Sequence, residues 1–163
     1  MIKIESVNLT KDNLIKIREI DNLFYKEEIL TMDWYLERYN ENHNGILLFD
    51  DNNCVGYLVA VPIKKELYNA ITKGVITNDL YINPKMIINK SKYKYIVSSV
   101  ILEEYRHNGY GKKMLDNLFQ KNKGKYCALT ITQDGYNLAS KCMKREMKLN
   151  DNVNVFTLNN RGL

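Results

Sequence analysis

The chain of 163 residues is poor in cysteine and histidine and has no long apolar run. Its three cysteines, Cys54, Cys127 and Cys142, are odd in number and widely spaced, which excludes a disulfide framework and a zinc-finger type of site. They read as small buried hydrophobes, and no metal is expected. A cysteine nucleophile would have only His43 or His107 to pair with, and nothing in the sequence links either of them to a cysteine. No apolar stretch approaches the roughly 20 residues that cross a bilayer, so a membrane-spanning helix is excluded. The opening MIKIESVNLTKDN lacks the apolar core of a secretory signal, and a cytoplasmic location is expected. Repeats, low-complexity blocks and linkers are also missing, so residues 1–163 are expected to form a single domain.

What the sequence does contain is ordinary for a soluble globular chain: 45% hydrophobic and 26% charged residues, which excludes disordered and fibrous classes. A net charge of +5 and a pI near 9.0 favour an anionic ligand. The lysines are scattered, and no aromatic-and-basic pattern of a single-strand binder is present, so nucleic acid is a weak alternative.

Residues 2–7 alternate with period two and predict a strand. Behind Thr10 as N-cap, Leu14, Ile17, Ile20, Leu23 and Phe24 recur at helical spacing and predict a helix from 11 to about 28. A second short helix is predicted from Met32 to Tyr39, with Trp34 read most simply as a packing residue and otherwise as an aromatic lining a substrate groove. GILLFDDNNCVGYLVAVPI, residues 45–63, predicts an antiparallel hairpin turning at DDNN, with Pro62 limiting further pairing. Residues 64–92 read as partly helical and then broken. YKYIVSSVIL, residues 93–102, predicts a central strand buried on both faces. A helix then runs from about Gly109 to Gly124, followed by a strand at 126–132, a helix from Leu138 to Leu149 and a closing strand at 153–159. The sum is a mixed α+β domain.

Between the central strand and its helix lies YRHNGYGKKML, residues 105–115. Glycines at 109 and 111 let an anion approach the main chain at a helix N-terminus, and Arg106, His107, Lys112 and Lys113 add positive charge. The P-loop spacing fails, because its first glycine falls on Arg106 and its Ser/Thr on Lys113. The dinucleotide fingerprint fails too: Met114 stands at its third glycine, and no acidic residue lies near the end of the next strand.

The remaining pattern, R-x-x-G-x-G on Arg106, Gly109 and Gly111, resembles the acetyl-CoA loop of the GCN5-related N-acetyltransferase (GNAT) superfamily. Val100 to Leu102 before it, the hairpin at 45–63 and Asn137-x-x-Ser140 after it extend the likeness over roughly residues 45–150. The resemblance implies a twisted, mostly antiparallel sheet with a splayed central parallel strand pair and about four flanking helices. It implies direct transfer of an acetyl group from acetyl-CoA, as cosubstrate, to a primary amine of a small molecule, peptide or protein in a ternary complex, without metal. Main-chain groups of Val100, Ile101 and Leu102 would pair with the pantetheine arm. Backbone N–H groups from His107 through Asn108, Gly109, Tyr110 and Gly111 to Lys112 would hold the pyrophosphate beside Arg106, and Asn137 would open the next helix. The resemblance leaves a homodimer open.

The acid and base depart from the family. Its strand glutamate corresponds to Tyr95 or Val97, neither a carboxylate, so Tyr95 and Ser99 on one strand face are the polar groups left to order a water. Glu103 and Glu104 lie past the strand end and read as solvated. Where the family often has an acidic tyrosine the chain has Lys144, which protonates a thiolate only if burial lowers its pKa; Tyr136 is a substitute. These departures admit a second reading, a non-catalytic module of the same fold that senses acyl-CoA. The acceptor would be shaped by residues 24–39 and 64–92, with Tyr81, Asp79 and Glu28 as polar candidates.

Overall fold

The computed structural model describes residues 1–27 and 29–161. Its seven strands, β1 (Ile2–Asn8), β2 (Asn44–Asp50), β3 (Asn53–Pro62), β4 (Tyr93–Ile101), β5 (Gly124–Thr130), β6 (Lys144–Lys148) and β7 (Asn154–Asn160), form one sheet in the order β1-β2-β3-β4-β5-β7-β6. Among the described residues there are five α-helices where about four were expected: α1 (Lys11–Phe24), α2 (Met32–Arg38), α3 (Lys65–Thr72), α4 (Tyr110–Lys121) and α5 (Gln133–Cys142). The sheet is mostly antiparallel with one parallel pair, β4 and β5, whose register covers Tyr93–Ile96 against Lys125–Ala128. By contacts the chain divides into two compact units, one of Met1–Val59 with Ser98–Leu118, the other of Ala60–Val97 with the chain from Phe119 on.

In the first unit β1 and β2 pair antiparallel from Ile2–Asp50 to Asn8–Asn44. Thr10 caps α1 by accepting from the Asn13 N–H, and Thr31 caps α2 by accepting from the Trp34 N–H, both at 3.3 Å. Each satisfies an N–H that the helix itself leaves unpaired. The stripe Leu14, Ile17 and Ile20 of α1 is buried with Leu9, Ile46, Leu47, Leu48, Val55 and Leu58. Each such side chain contributes about 1.5–3 kcal/mol of burial. The hairpin turns at Asp51, at φ 52°, a left-handed conformation that Asp tolerates. α1 ends at Phe24, short of the expected 28; Glu28 lies outside the described residues.

In the second unit the segment after β3 builds α3, with Leu67 and Ile71 buried, then two 3-10 turns at Asp79–Tyr81 and Pro84–Met86. Ile63 forms an isolated bridge with Ile87, which ties this long connection back to the end of β3. β5 pairs antiparallel with β7, and β7 with β6.

Three expectations need correction. No helix runs from Leu138 to Leu149: α5 begins at Gln133 behind the cap Thr132, ends at Cys142, and KREMK follows as strand β6. Beyond Cys142 the ladder to β7 satisfies the backbone, and a strand this charged suits a sheet edge. Gly124 opens β5 instead of closing α4, which stops at Lys121. β4 is not buried throughout, since Tyr95, Ile96 and Val100 are buried but Ser99 is exposed.

Candidate active site

At the end of β4 the Leu102 N–H donates to the Val55 carbonyl of β3 at 2.9 Å, and the Val100 carbonyl lies 3.1 Å from where a Cβ on Gly56 would stand. Both residues therefore turn their backbone groups toward β3. By strand alternation Ile101 turns its groups the other way, where its carbonyl accepts from Arg106 Nε at 2.8 Å. Of the three residues expected to line an extended ligand, Ile101 is the one whose main chain faces away from β3.

A 3-10 turn, Glu103–Tyr105, carries the chain out of β4, with both glutamates exposed as expected. Tyr105 anchors it by donating to Asp50 Oδ2 at 2.8 Å. Arg106 packs its guanidinium 5.3 Å from the centre of the Phe24 ring while holding Ile101, so it clasps the turn from below. His107 at φ 61° and Gly109 at φ 79° are both left-handed, and Asn108 between them donates to the carbonyls of Tyr105 at 3.3 Å and Arg106 at 3.0 Å. A left-handed conformation costs a non-glycine residue about 1–2 kcal/mol, so His107 marks a turn held by its surroundings. The first α4 backbone bond shown at this end joins the Lys113 N–H to the Gly109 carbonyl at 3.2 Å, which places the Tyr110 and Gly111 N–H groups ahead of the helical ladder. Successive N–H groups in such a turn form an anion-binding concavity. His107, Asn108 and Gly109 are exposed, and the space where a Gly109 Cβ would stand is open. Lys112 is held by Asp116 at 2.9 Å, and the Lys113 ammonium lies 5.7 Å from the Tyr110 ring centre.

The expected catalytic residues fare unequally. Tyr95 is 2% exposed, and its hydroxyl donates to Asp79 Oδ1 on the first 3-10 turn after α3. Burial raises the Asp79 pKa above the usual carboxylate value, partly offset by the Tyr95 bond. The residue as a whole is exposed while its carboxylate is turned onto a buried hydroxyl, which is why desolvation still governs it. Ser99 is exposed on β4. Lys144 fails as a buried acid: its side chain is 79% exposed on β6, where it pairs with Glu146 at 3.7 Å. Asn137 does not open a helix; it is exposed in the second turn of α5 and accepts from Gln133 Nε2 at 2.8 Å. Tyr136 sets its ring edge-on to Phe156 at 5.6 Å, and Arg145 Nη1 donates to its hydroxyl at 3.4 Å. Tyr81 is 70% exposed. Trp34 packs against Tyr35 and carries Arg38 at 4.2 Å, in keeping with a packing role. Of the three cysteines Cys127 is buried as expected, whereas Cys54 and Cys142 are only part-buried, and burial pushes the Cys127 thiol up, out of the reactive range. Among the described residues no group of three His, Cys, Asp or Glu is placed to hold a metal ion, and no helix is long and apolar enough to cross a membrane.

Sequence reasoning missed one cluster. Asp21 of α1, 7% exposed, accepts from Tyr35 at 2.5 Å and from Tyr57 at 2.5 Å. Since Tyr57 gives its proton to Asp21, it accepts from Ser98 at 2.9 Å. The signal was present: Asp21 falls on the stripe of Leu14 and Ile17, where a carboxylate is out of place. In the second unit a cleft of about 320 Å³ is lined by residues of β6, β7, the start of α5 and the β6–β7 turn, among them Tyr136, Arg145, Lys148 and Asn154.

A parallel pair in a mostly antiparallel sheet, followed by a glycine turn and a helix N-terminus, is the α+β arrangement that the resemblance implied. The model of the acetyltransferase (GNAT) family matches residues 14–144, and the chain belongs to that family of acyltransferases. No curated protein matches its sequence. Among solved structures, Arabidopsis thaliana NAA60 in complex with acetyl-CoA superposes with a TM-score of 0.66 at 13% identity, over 97% of this chain and 99% of that one. The loading GNATL domain of CurA from Lyngbya majuscula gives a TM-score of 0.69 at 14% identity, over 96% and 98%. The ribosomal-protein-S18-alanine N-acetyltransferase from Escherichia coli gives 0.64 at 9%, over 100% and 96%. At these identities the likeness is one of fold.

Proposed function

We propose that the protein transfers an acetyl group from acetyl-CoA directly to a primary amine, both bound at once. The observation that carries this reading is the left-handed pair His107 and Gly109 at the head of α4, an open turn whose N–H groups suit a pyrophosphate. The turn fits such a ligand: it is exposed, basic, and free of any side chain where Gly109 faces solvent. In this reading the N–H groups from His107 to Lys112 hold the pyrophosphate, Arg106 fixes the turn, and Ile101 offers its main chain to the pantetheine arm. Acetyl-CoA supplies an acyl thioester already activated for aminolysis. What the protein must add is orientation, a carbonyl polarised by backbone N–H groups, and a base for the amine.

For the base we assign Asp79 acting through Tyr95. Tyr95 is one of the two strand positions, with Val97, at which the resemblance puts the family's glutamate, and Asp79 brings a carboxylate to its hydroxyl from the segment after α3. A carboxylate with a raised pKa is a better proton acceptor than an ordinary one. The thiolate's proton falls to Tyr136, because Lys144 is on the surface.

Titration calorimetry with acetyl-CoA is the test. Micromolar binding is expected, together with amine-dependent release of CoA above the hydrolysis background. Binding without release for any amine of a broad panel would favour the acyl-CoA sensor, and no binding would sink both readings. Gly109→Ala should weaken acetyl-CoA roughly tenfold, since a Cβ there meets no neighbour but puts the left-handed φ at a cost of about 1–2 kcal/mol.

A further inference from the structure

Thr130 and Asn154 face each other across the β5–β7 ladder, at the C-terminal end of β5 and two residues beyond the last β4–β5 pair, Ile96–Ala128. Each is 7% exposed, and each keeps a buried oxygen, Thr130 Oγ1 and Asn154 Oδ1, with no hydrogen-bond partner in the protein. Two orphaned oxygens side by side are costly when nothing satisfies them. Asn154 is also part of the lining of the cleft of about 320 Å³, so its unpartnered oxygen lies at the cleft wall. Such a position selects for a ligand that brings N–H or O–H donors, and a primary amine brings several.

Elsewhere the cleft carries two cations, Arg145 and Lys148, beside one carboxylate, Asp151. Lys148 stands opposite Asn154 in the β6–β7 register, and Arg145 stands opposite Phe156, two residues further along β7. Two residues of strand are roughly 6–7 Å. Among the described residues Arg145 makes no ion pair; its contact is the Tyr136 hydroxyl at 3.4 Å, a weak bond for a guanidinium. An unpaired Arg on a cleft wall is suited to a carboxylate or phosphate held by two parallel bonds. Lys148 adds charge, only loosely held by Asp151 at 4.0 Å.

We propose that this cleft takes a small molecule bearing both a primary amine and an acidic group, the amine on Asn154, backed by Thr130 across the ladder, and the acid on Arg145 and Lys148. It rests on the acetyl-transfer reading for its role, since such a molecule is then the acceptor, but not for its chemistry. A volume near the lower end of small-molecule sites fits an amino acid or a phosphorylated amine and leaves little room for a protein segment. The spacing of Arg145 from Asn154 sets the reach between the two groups.

The experiment is titration calorimetry of the full chain with glycine, β-alanine, 4-aminobutyrate, L-glutamate and phosphoethanolamine. Each is run against a matched amine without the acid and a matched acid without the amine, and acetyl-CoA is titrated into the same preparation. At least one bifunctional probe should bind ten times more tightly than both of its matched controls. Arg145→Gln, at an exposed edge position, should remove that margin, and Arg145→Lys should restore part of it. Asn154→Ala should weaken the probe and its matched amine alike while sparing the acid. Acetyl-CoA binding with no bifunctional probe bound overturns the cleft proposal alone. Probe binding without acetyl-CoA binding overturns the transfer reading and leaves the cleft as an amino-acid site. A probe whose affinity ignores Arg145→Gln also overturns it.

Discussion

Asp21 and Asp79 are both carboxylates whose pKa is raised by burial and partly restored by tyrosine hydroxyls, yet they are built for different ends. Asp21 sits inside, with one tyrosine on each oxygen and Ser98 behind Tyr57. Asp79 sits on a 3-10 turn where Tyr95 is its one donor among the described residues, and the rest of the residue is exposed. A carboxylate enclosed by donors on both oxygens ties elements together: Asp21 joins α1, α2, β3 and β4. A carboxylate with one donor and access to solvent can exchange its proton. The difference teaches that a raised pKa does not identify a base; the number of donors and the route to water do.

The comparison breaks first on stability. Asp21→Ala leaves two buried hydroxyls without their acceptor and opens a void, and should cost roughly 2–4 kcal/mol in chemical denaturation. Asp79→Ala should cost less, about 1–2 kcal/mol, because it removes the acceptor of one buried hydroxyl, Tyr95, where Asp21→Ala removes that of two. Equal losses would erase the distinction. It sharpens next on catalysis. Asp79→Asn should lower kcat by about a hundredfold at unchanged melting temperature, the lower end of what a positioned base contributes. Tyr95→Phe should match it, with KM for acetyl-CoA unmoved. If Asp79→Asn turns over like the parent, Asp79 is a structural cap for Tyr95 and the base lies elsewhere.

The same contrast explains what was legible in the sequence. Thr10, the α1 stripe and the DDNN turn act locally, so their cap, helix and hairpin could be read directly. The turn at the head of α4 was legible because Gly109 answers to a left-handed φ, a local need. The Tyr95–Asp79 bond was not, because it joins residues 16 apart through a connection whose path no periodicity describes. Nor was β6: KREMK has no alternation, and only the ladder to β7 makes it a strand. Thr130 and Asn154 look like ordinary strand polars until their register brings both oxygens to one buried place.

The smallest effect is in the pH dependence of folding. The folded-state pKa of Asp21 lies above its unfolded value near 3.9, so the native state binds this proton more tightly. Its contribution is then fully present below about pH 3.9 and is lost as pH rises through the raised folded value, with a slope no steeper than about 1.4 kcal/mol per pH unit. Asp79 has the same sign in stability, but its deprotonation switches the base on, so activity should rise over the pH range in which Asp79 withdraws its share of stability. Asp21→Asn should flatten the stability slope and leave the acid limb of kcat where it was. Asp79→Asn should remove that acid limb. Denaturation midpoints and kcat measured for both variants between pH 4 and 8 check this; a kcat limb that moves with Asp21→Asn would make the buried network, and not the exposed turn, the place where the amine's proton goes.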